Sequence, residues 1–369
     1  MNRLFRWDQT GLFLLALAAG ILPFAVPEVC AAALREGLTL CSGPLLLSLF
    51  PFLVVSRLLI QCPESDLLAL PFRLAAWGIG IRTPCAARVL CIGFLGGFAP
   101  AASAAAQAVR TGQLTAEEAD ALLPACICSG PSFVVLTVGQ SLLGSAELGV
   151  LLFAAQITAN YLTAALLNRF AGVRSVKPGS AAPASPAPPR LDEILADAAI
   201  TYCKLCGFIL FFRMLAAGAG ALLPAGAGTL CAILLEVCSG CDLASRTGWW
   251  GSLLCCAALS VQGLSVLLQV RTICPPEMTL RPLYRSRLLH LPLSLALFYL
   301  LLPGGEADVF STLPARVLLM RRVPPDCALL VFAVCCMAAC TLRSGIRQVE
   351  QKQMARNAGG CCINSKTLL

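Results

Sequence analysis

Apolar residues in this chain gather in long unbroken runs instead of alternating or recurring on one helical face. The runs fall near 10–26, 38–60, 89–109, 121–141, 146–168, 195–223, 228–245, 249–270, 288–302 and 327–342. A helix needs about 20 apolar residues to span a bilayer, with a range of about 17–25. Most runs meet that length; the last two are short. Residues 67–81 are apolar but carry Pro71 and Arg73, and they read as an interfacial helix. The pattern predicts an all-α, polytopic membrane protein of roughly 8–10 apolar helices.

Polar and helix-breaking residues punctuate the runs. Ser129-Gly130-Pro131 interrupts 121–141 where a spanning helix would continue. Irregular backbone at membrane depth survives only where protein or a water-filled cavity satisfies it. The first half holds GFLGGFAPAASAAA (93–106) and then CSGPSFVVLTVG (128–139). The second holds LEVCSGCDLAS (235–245) and then SVQGLSVLLQV (260–270). Each half therefore carries two breaks, at an offset of about 130 residues, as in an internal transporter repeat. The expected break positions are Gly97, Pro100, Gly130, Pro131, Gly240 and Gly263. Gly, Ala and Ser in these stretches also suit close helix packing.

Gln107, Ser129, Gln156, Asn160, Glu236, Gln262 and Gln269 lie within apolar runs, where unpaired polar groups are costly. The solute-facing set drawn from these stretches is Ser129, Gly130, Pro131, Glu236, Ser239, Gln262 and Gln269. For Glu236 three readings stay open: it lines a wet cavity, pairs with Arg213, or snorkels from a segment end. Thr115 and Glu118 form a capping box that starts a helix running to the Ser-Gly-Pro break. The spacing suggests a helical hairpin whose second arm ends at that break. Glu117, Glu118 and Asp120 are expected on a solvated face.

Composition agrees with the pattern. The chain is 58% apolar and 12% charged, with mean hydropathy +0.82; soluble domains carry about 25% charged residues. The net charge of +8 fits basic cytoplasmic loops. No basic stretch is interleaved with aromatics, so no nucleic-acid partner is expected. Regions 57–88, 169–190 and 271–287 are the basic loops and are expected on the cytoplasmic side. Three apolar runs separate each from the next, and three crossings cannot return a chain to the side it left. One run in each half must therefore be a re-entrant hairpin or a helix broken midway. The basic tail places the C-terminus inside.

The expected organisation is N-terminal transmembrane helices (1–62), a first half with a helical hairpin (63–170), and a Pro/Ala/Ser-rich cytoplasmic linker (171–190). A second half (191–303), a C-terminal amphipathic and transmembrane segment (304–342) and a basic cytoplasmic tail (343–369) follow. Arg3 and Arg6 before 11–26 resemble a signal peptide, but with many spans following we read a first transmembrane helix. The 21 cysteines mostly sit in apolar runs and read as small hydrophobes. The pairs Cys203/Cys206 and Cys238/Cys241 have apolar neighbours and no poised base, so neither metal nor cofactor is expected. The single histidine, His290, and the lack of paired carboxylates at depth argue against an enzyme.

The stretches LLLSLFPFLVVSRLLI (45–60), 93–139, and LLEVCSGCDLAS with QGLSVLLQV resemble the YlbJ family of sporulation integral membrane proteins. That family belongs to the nucleoside-recognition, or Gate-domain, group of bacterial membrane proteins. The resemblance runs over about residues 10–300; its most specific part is G-x-L-T-x-E-E-A-x-x-L-L followed by SGP-x-F. Two departures stand out. Gly97-Phe98-Ala99-Pro100 lacks the family's lysine, and Ile127-Cys128 replaces an asparagine pair. The resemblance implies a bacterial cell-membrane protein of endospore formation, acting around cortex assembly. The expected partners are the lipid bilayer, a small polar solute (nucleoside-like or an ion), and a second copy or other sporulation membrane proteins. The favoured reading is a transporter-like protein with a cavity between two pseudo-repeated halves. The alternative is a non-transporting scaffold, which the lost lysine and asparagines favour.

Overall fold

The computed structural model describes residues 9–61, 65–171 and 190–302, and every regular element within them is helical. The chain is an all-α, polytopic membrane protein. Among the described residues, four stretches are long and apolar enough to cross a bilayer: Pro27–Ile60, Ala146–Ala171, Leu191–Leu222 and Gly248–Ile273. Most of the expected linker, together with segments 304–342 and 343–369, lies outside the described residues.

The N-terminal region comprises α1 (Gln9–Ala25), α2 (Pro27–Ser42) and α3 (Pro44–Gln61). Run 38–60 is not one helix; it turns at Gly43, and Pro44 opens α3, where a missing N–H has no intrahelical partner to lose. Residues 67–81 form α4 (Ser65–Leu68) and α5 (Leu70–Gly78), with Leu67, Leu74 and Trp77 exposed.

A hairpin follows. α6 (Pro84–Gly96) reverses at Gly97 into α7 (Phe98–Arg110). Gly97 has φ +81, a conformation that disfavours any residue with a Cβ. The arms lie against each other: a Cβ on Gly93 would sit 3.2 Å from the Cβ of Ala101. α7 is a run of small residues buried on nearly every side, which permits that approach. Next comes a broken helix, α8 (Ala116–Cys126) and a π-wound arm (Ser132–Leu142), and then α9 (Ala146–Ala171).

The second half repeats the order. α10 (Leu191–Leu222) leads to a hairpin of α11 (Ala225–Leu235) and α12 (Val237–Ser245), reversed at Glu236. α13 (Gly251–Val261) and α14 (Gly263–Ile273) form its broken helix, interrupted at Gln262, and α15 (Arg281–Leu301) closes it. Packing is reciprocal. α3 lies on α10, α9 on α15, α7 on α14, and α12 on the π arm.

The two hairpins enter from opposite ends. Arg88 at the base of the first donates to the Ile60 carbonyl at the end of α3 (2.7 Å), and Arg57 on α3 pairs with Asp197 near the start of α10 (2.6 Å). The second hairpin begins at the other end of α10, where a Cβ on Gly228 would lie 3.0 Å from the Cα of Gly220. The 32 residues of α10 separate these ends by about 48 Å. Asn168, near the end of α9, donates to Ile79 and Ala121, and Thr279 and Leu280 donate to Asp120 at the start of α8, so the described residues near 79, 120, 168 and 279 share one end.

Four expectations need correction. The second-half hairpin turns at Glu236, four residues before Gly240. Gly240 instead lets the arms touch, since a Cβ there would fall 2.8 Å from the Cα of Ile233. Pro100 lies in the first turn of α7, where proline is tolerated, and Gly97 makes the reversal. The first hairpin is α6–α7, not α7–α8, because Ile127 keeps an extended backbone (φ −85, ψ 95) and the chain runs on. Glu118 and Asp120 are buried, not solvated. The capping box is present, and Glu118 also accepts from Thr83 (2.6 Å). Asp120 accepts from the Thr279 N–H (2.8 Å), the Thr279 hydroxyl (2.6 Å) and the Leu280 N–H (3.1 Å).

Candidate functional site where the helix breaks meet

Each hairpin tip rests on the broken helix of its own half, with glycine at the contact. A Cβ on Gly97 would lie 2.7 Å from the Gly130 nitrogen. In the second half, a Cβ on Gly263 (φ +71) would lie 2.9 Å from the Glu236 nitrogen. The two broken helices are tied at their breaks, where Gln262 donates from Nε2 to the Ile127 carbonyl (3.2 Å). Gln262 itself holds φ +63, a rare conformation for a residue with a side chain.

A small pocket, partly open to its surroundings, lies at this junction. Ser129, Gly130, Glu236 and Gln269 line it, together with Gly96 and Cys238. Apolar walls come from Leu45, Leu49, Phe98, Phe133, Ile209, Val237 and Val266. The helical arms that start at Phe98, Ser132, Val237 and Gly263 all contribute lining residues. Helix starts carry unpaired N–H groups and partial positive charge.

Glu236 is the buried acid of the site. Its carboxylate caps α12, accepting from the N–H groups of Cys238 (2.8 Å) and Ser239 (2.7 Å). Arg213 does not pair with it directly; Arg213 donates to Glu36 on α2 (2.7 Å). Glu236 thus lines the pocket while neutralising one helix start. Gln269 donates to the Ser265 hydroxyl (2.9 Å), and its Oε1 is buried without a partner.

Three expected solute-facing residues lie elsewhere. Pro131 begins the π arm with φ −60, where its ring suits the helical start. Ser239 is buried in the first turn of α12, its N–H committed to Glu236 and its Oγ unpartnered. Gln262 is spent on the bridge to Ile127.

Residue patterning missed a second buried polar layer. Gln156 on α9 donates to the Ser260 hydroxyl (3.0 Å) and the Cys256 carbonyl (3.2 Å). Ser260 meets Ser294 on α15. His290 contacts the Gln156 carbonyl through Nε2 (3.2 Å). Arg287 donates to Asn160 Oδ1 (3.2 Å). Gln156 and Asn160 stand out in sequence as polar residues at depth, but their partners are distant in the chain. Among the described residues, no group of three or more His, Cys, Asp or Glu is placed to hold a metal.

Comparison with known proteins finds no matching family model, no matching curated relative and no matching solved structure.

Proposed function

We propose that this chain is a transporter-like protein of a bacterial cell membrane that binds or moves a small polar solute through the pocket between its halves. The observation carrying this reading is the convergence of the breaks at Gly97, Ile127–Gly130, Glu236 and Gln262 on one pocket. Interrupted helices cost several kcal/mol of unmet backbone polarity in lipid. Matching interruptions in two halves mark the binding region of many carriers. The lining offers donors at the starts of the π arm and α7, and acceptors at Glu236 and Gln269, between apolar walls. That combination suits a compact solute with a polar edge and an apolar face, such as a nucleoside. The resemblance to the YlbJ group adds a setting in endospore formation, which we propose with it.

One observation favours the scaffold reading: most lining residues are apolar, and no lysine is among them. Uptake of a panel of labelled nucleosides and small polar metabolites into reconstituted vesicles separates the two. Transport by wild type and its loss in Glu236→Gln at equal insertion is the expected result. If no member of the panel enters above the rate of empty vesicles, the scaffold takes its place.

A further inference from the structure

The pocket faces helix starts, and the opposite side of the same junction faces helix ends. Arg287 on α15 lies there, 7% exposed. Its Nη1 donates to the Ser260 carbonyl (3.4 Å), its Nη2 to Asn160 Oδ1 (3.2 Å) and its Nε to Ser286 Oγ (3.3 Å). Among the described residues it forms no ion pair, unlike Arg57, Arg88 and Arg213. A lone buried charge is expensive unless something of opposite sign faces it.

The position of its partners supplies that sign. Ser260 lies in the last turn of α13, just before the break at Gln262. The end of α8 lies at that same break, since Gln262 donates to the carbonyl of Ile127, which follows Cys126. α15 packs on both of these helices. The last carbonyls of a helix lack intrahelical partners and together carry about half a negative charge. Arg287 bonds to the end of α13, with the end of α8 tied beside it. The surrounding shell is polar: Asn160 Nδ2, Thr163 Oγ1 and His290 Nδ1 are buried without partners.

Broken-helix carriers use such helix ends and unwound carbonyls to hold a coupling cation. We propose that Arg287 is a built-in counter-cation at this junction, its guanidinium occupying the place an alkali-metal ion would take against the ends of α8 and α13. The crossing of the two broken helices then needs no bound cation there. Without the guanidinium, the Ser260 carbonyl and Asn160 Oδ1 become oxygen ligands of the kind hard cations take. Arg287 is a positioning residue in this account; it acts through the two helix ends and does not line the pocket. The inference does not depend on solute transport, so melting is the readout.

The test measures melting of the purified full chain in sodium, lithium or N-methylglucamine chloride at one ionic strength. Wild type should melt at the same temperature in all three. Arg287→Met should melt several degrees lower in N-methylglucamine and recover part of that loss in sodium or lithium. Arg287→Lys, which keeps the charge, should melt near wild type and without cation dependence. A wild-type protein stabilised by several degrees in sodium would overturn the proposal, as would an Arg287→Met variant that melts like wild type. So would a Met variant equally low in all three salts beside a Lys variant no better. If the Met variant does not accumulate, the Lys variant decides: cation-independent melting near wild type supports the counter-charge, and its loss as well overturns it.

Discussion

Gly97 and Gly263 hold the two ends of the junction, each in the same way. Both have positive φ, and both leave no room for a side chain against the backbone of the neighbouring break. Gly112 gives a control: its φ is +70, but nothing lies within 4 Å of the Cβ it lacks. Gly112→Ala should therefore pay conformational strain alone, about 1–2 kcal/mol. Gly97→Ala pays more, since φ +81 with ψ −163 is a conformation almost confined to glycine, and it adds a clash with the Gly130 backbone, overpacking costing about 1–3 kcal/mol. Chemical or thermal denaturation in detergent should rank Gly97→Ala clearly below Gly112→Ala; equal values would mean the hairpin tip does not rest on the break. Ser129-Gly130-Pro131 was legible because its effect on the helix is local. The role of Glu236 was not, because capping depends on where α12 begins, and an acid before Val-Cys-Ser-Gly reads equally as an ion-pair partner. Glu236→Gln replaces charge-assisted bonds from Cys238 and Ser239, each worth about 1.5–3 kcal/mol. We expect it to insert at near-normal levels yet lose solute binding; unchanged uptake would remove Glu236 from the site.

At the scale of elements, two devices hold the broken helices in place. The arm after Ser-Gly-Pro is π-wound, with Leu143 donating to Val138 across five residues (3.0 Å). Such winding is rare and clusters at functional sites. Here it lies against α9 through facing glycines: a Cβ on Gly149 would fall 2.7 Å from the Cα of Val135 and 2.8 Å from its carbonyl oxygen. Gly149→Ala should push the arm away from α9, lowering the melting temperature and weakening solute binding together. Normal binding in that variant would show the arm's position to be immaterial. The second device is Asp120, whose three accepted bonds fix the turn entering α15. Asp120→Ala leaves the buried N–H of Leu280 unmet, at about 1–3 kcal/mol, while the exposed Thr279 can turn to water, and denaturation should register a loss in that range. The capping box at Thr115 was readable from four residues. The burial of Glu118 and Asp120 was not, because their partners Thr83, Thr279 and Leu280 lie far away in sequence.

At the scale of the whole molecule, charge counting called for one segment in each half to turn back or break midway, without saying which. Segments 84–110 and 116–142 are both apolar and both broken near the middle, so only the glycine reversal at Gly97 against the extended chain at Ile127 separates hairpin from crossing helix. The resulting inverted arrangement makes a sidedness prediction. Exposed Glu117 and Glu277 lie at the basic end, and exposed Thr247 lies at the far end beside Trp249 and Trp250, an aromatic pair suited to an interface. In intact cells an impermeant thiol reagent should label Thr247→Cys and spare Glu117→Cys and Glu277→Cys; labelling of all three would break the inversion. The central claim is that the two halves meet at one pocket through their breaks. Its most direct test is cross-linking Ser129→Cys to native Cys238, which line that pocket from opposite halves. A short bis-methanethiosulfonate reagent is applied to membranes, and peptide mass spectrometry identifies the joined thiols. The account predicts a 129–238 cross-link that excess solute suppresses. Modification of each thiol singly, with no 129–238 link at any reagent length short enough to fit the pocket, would contradict it.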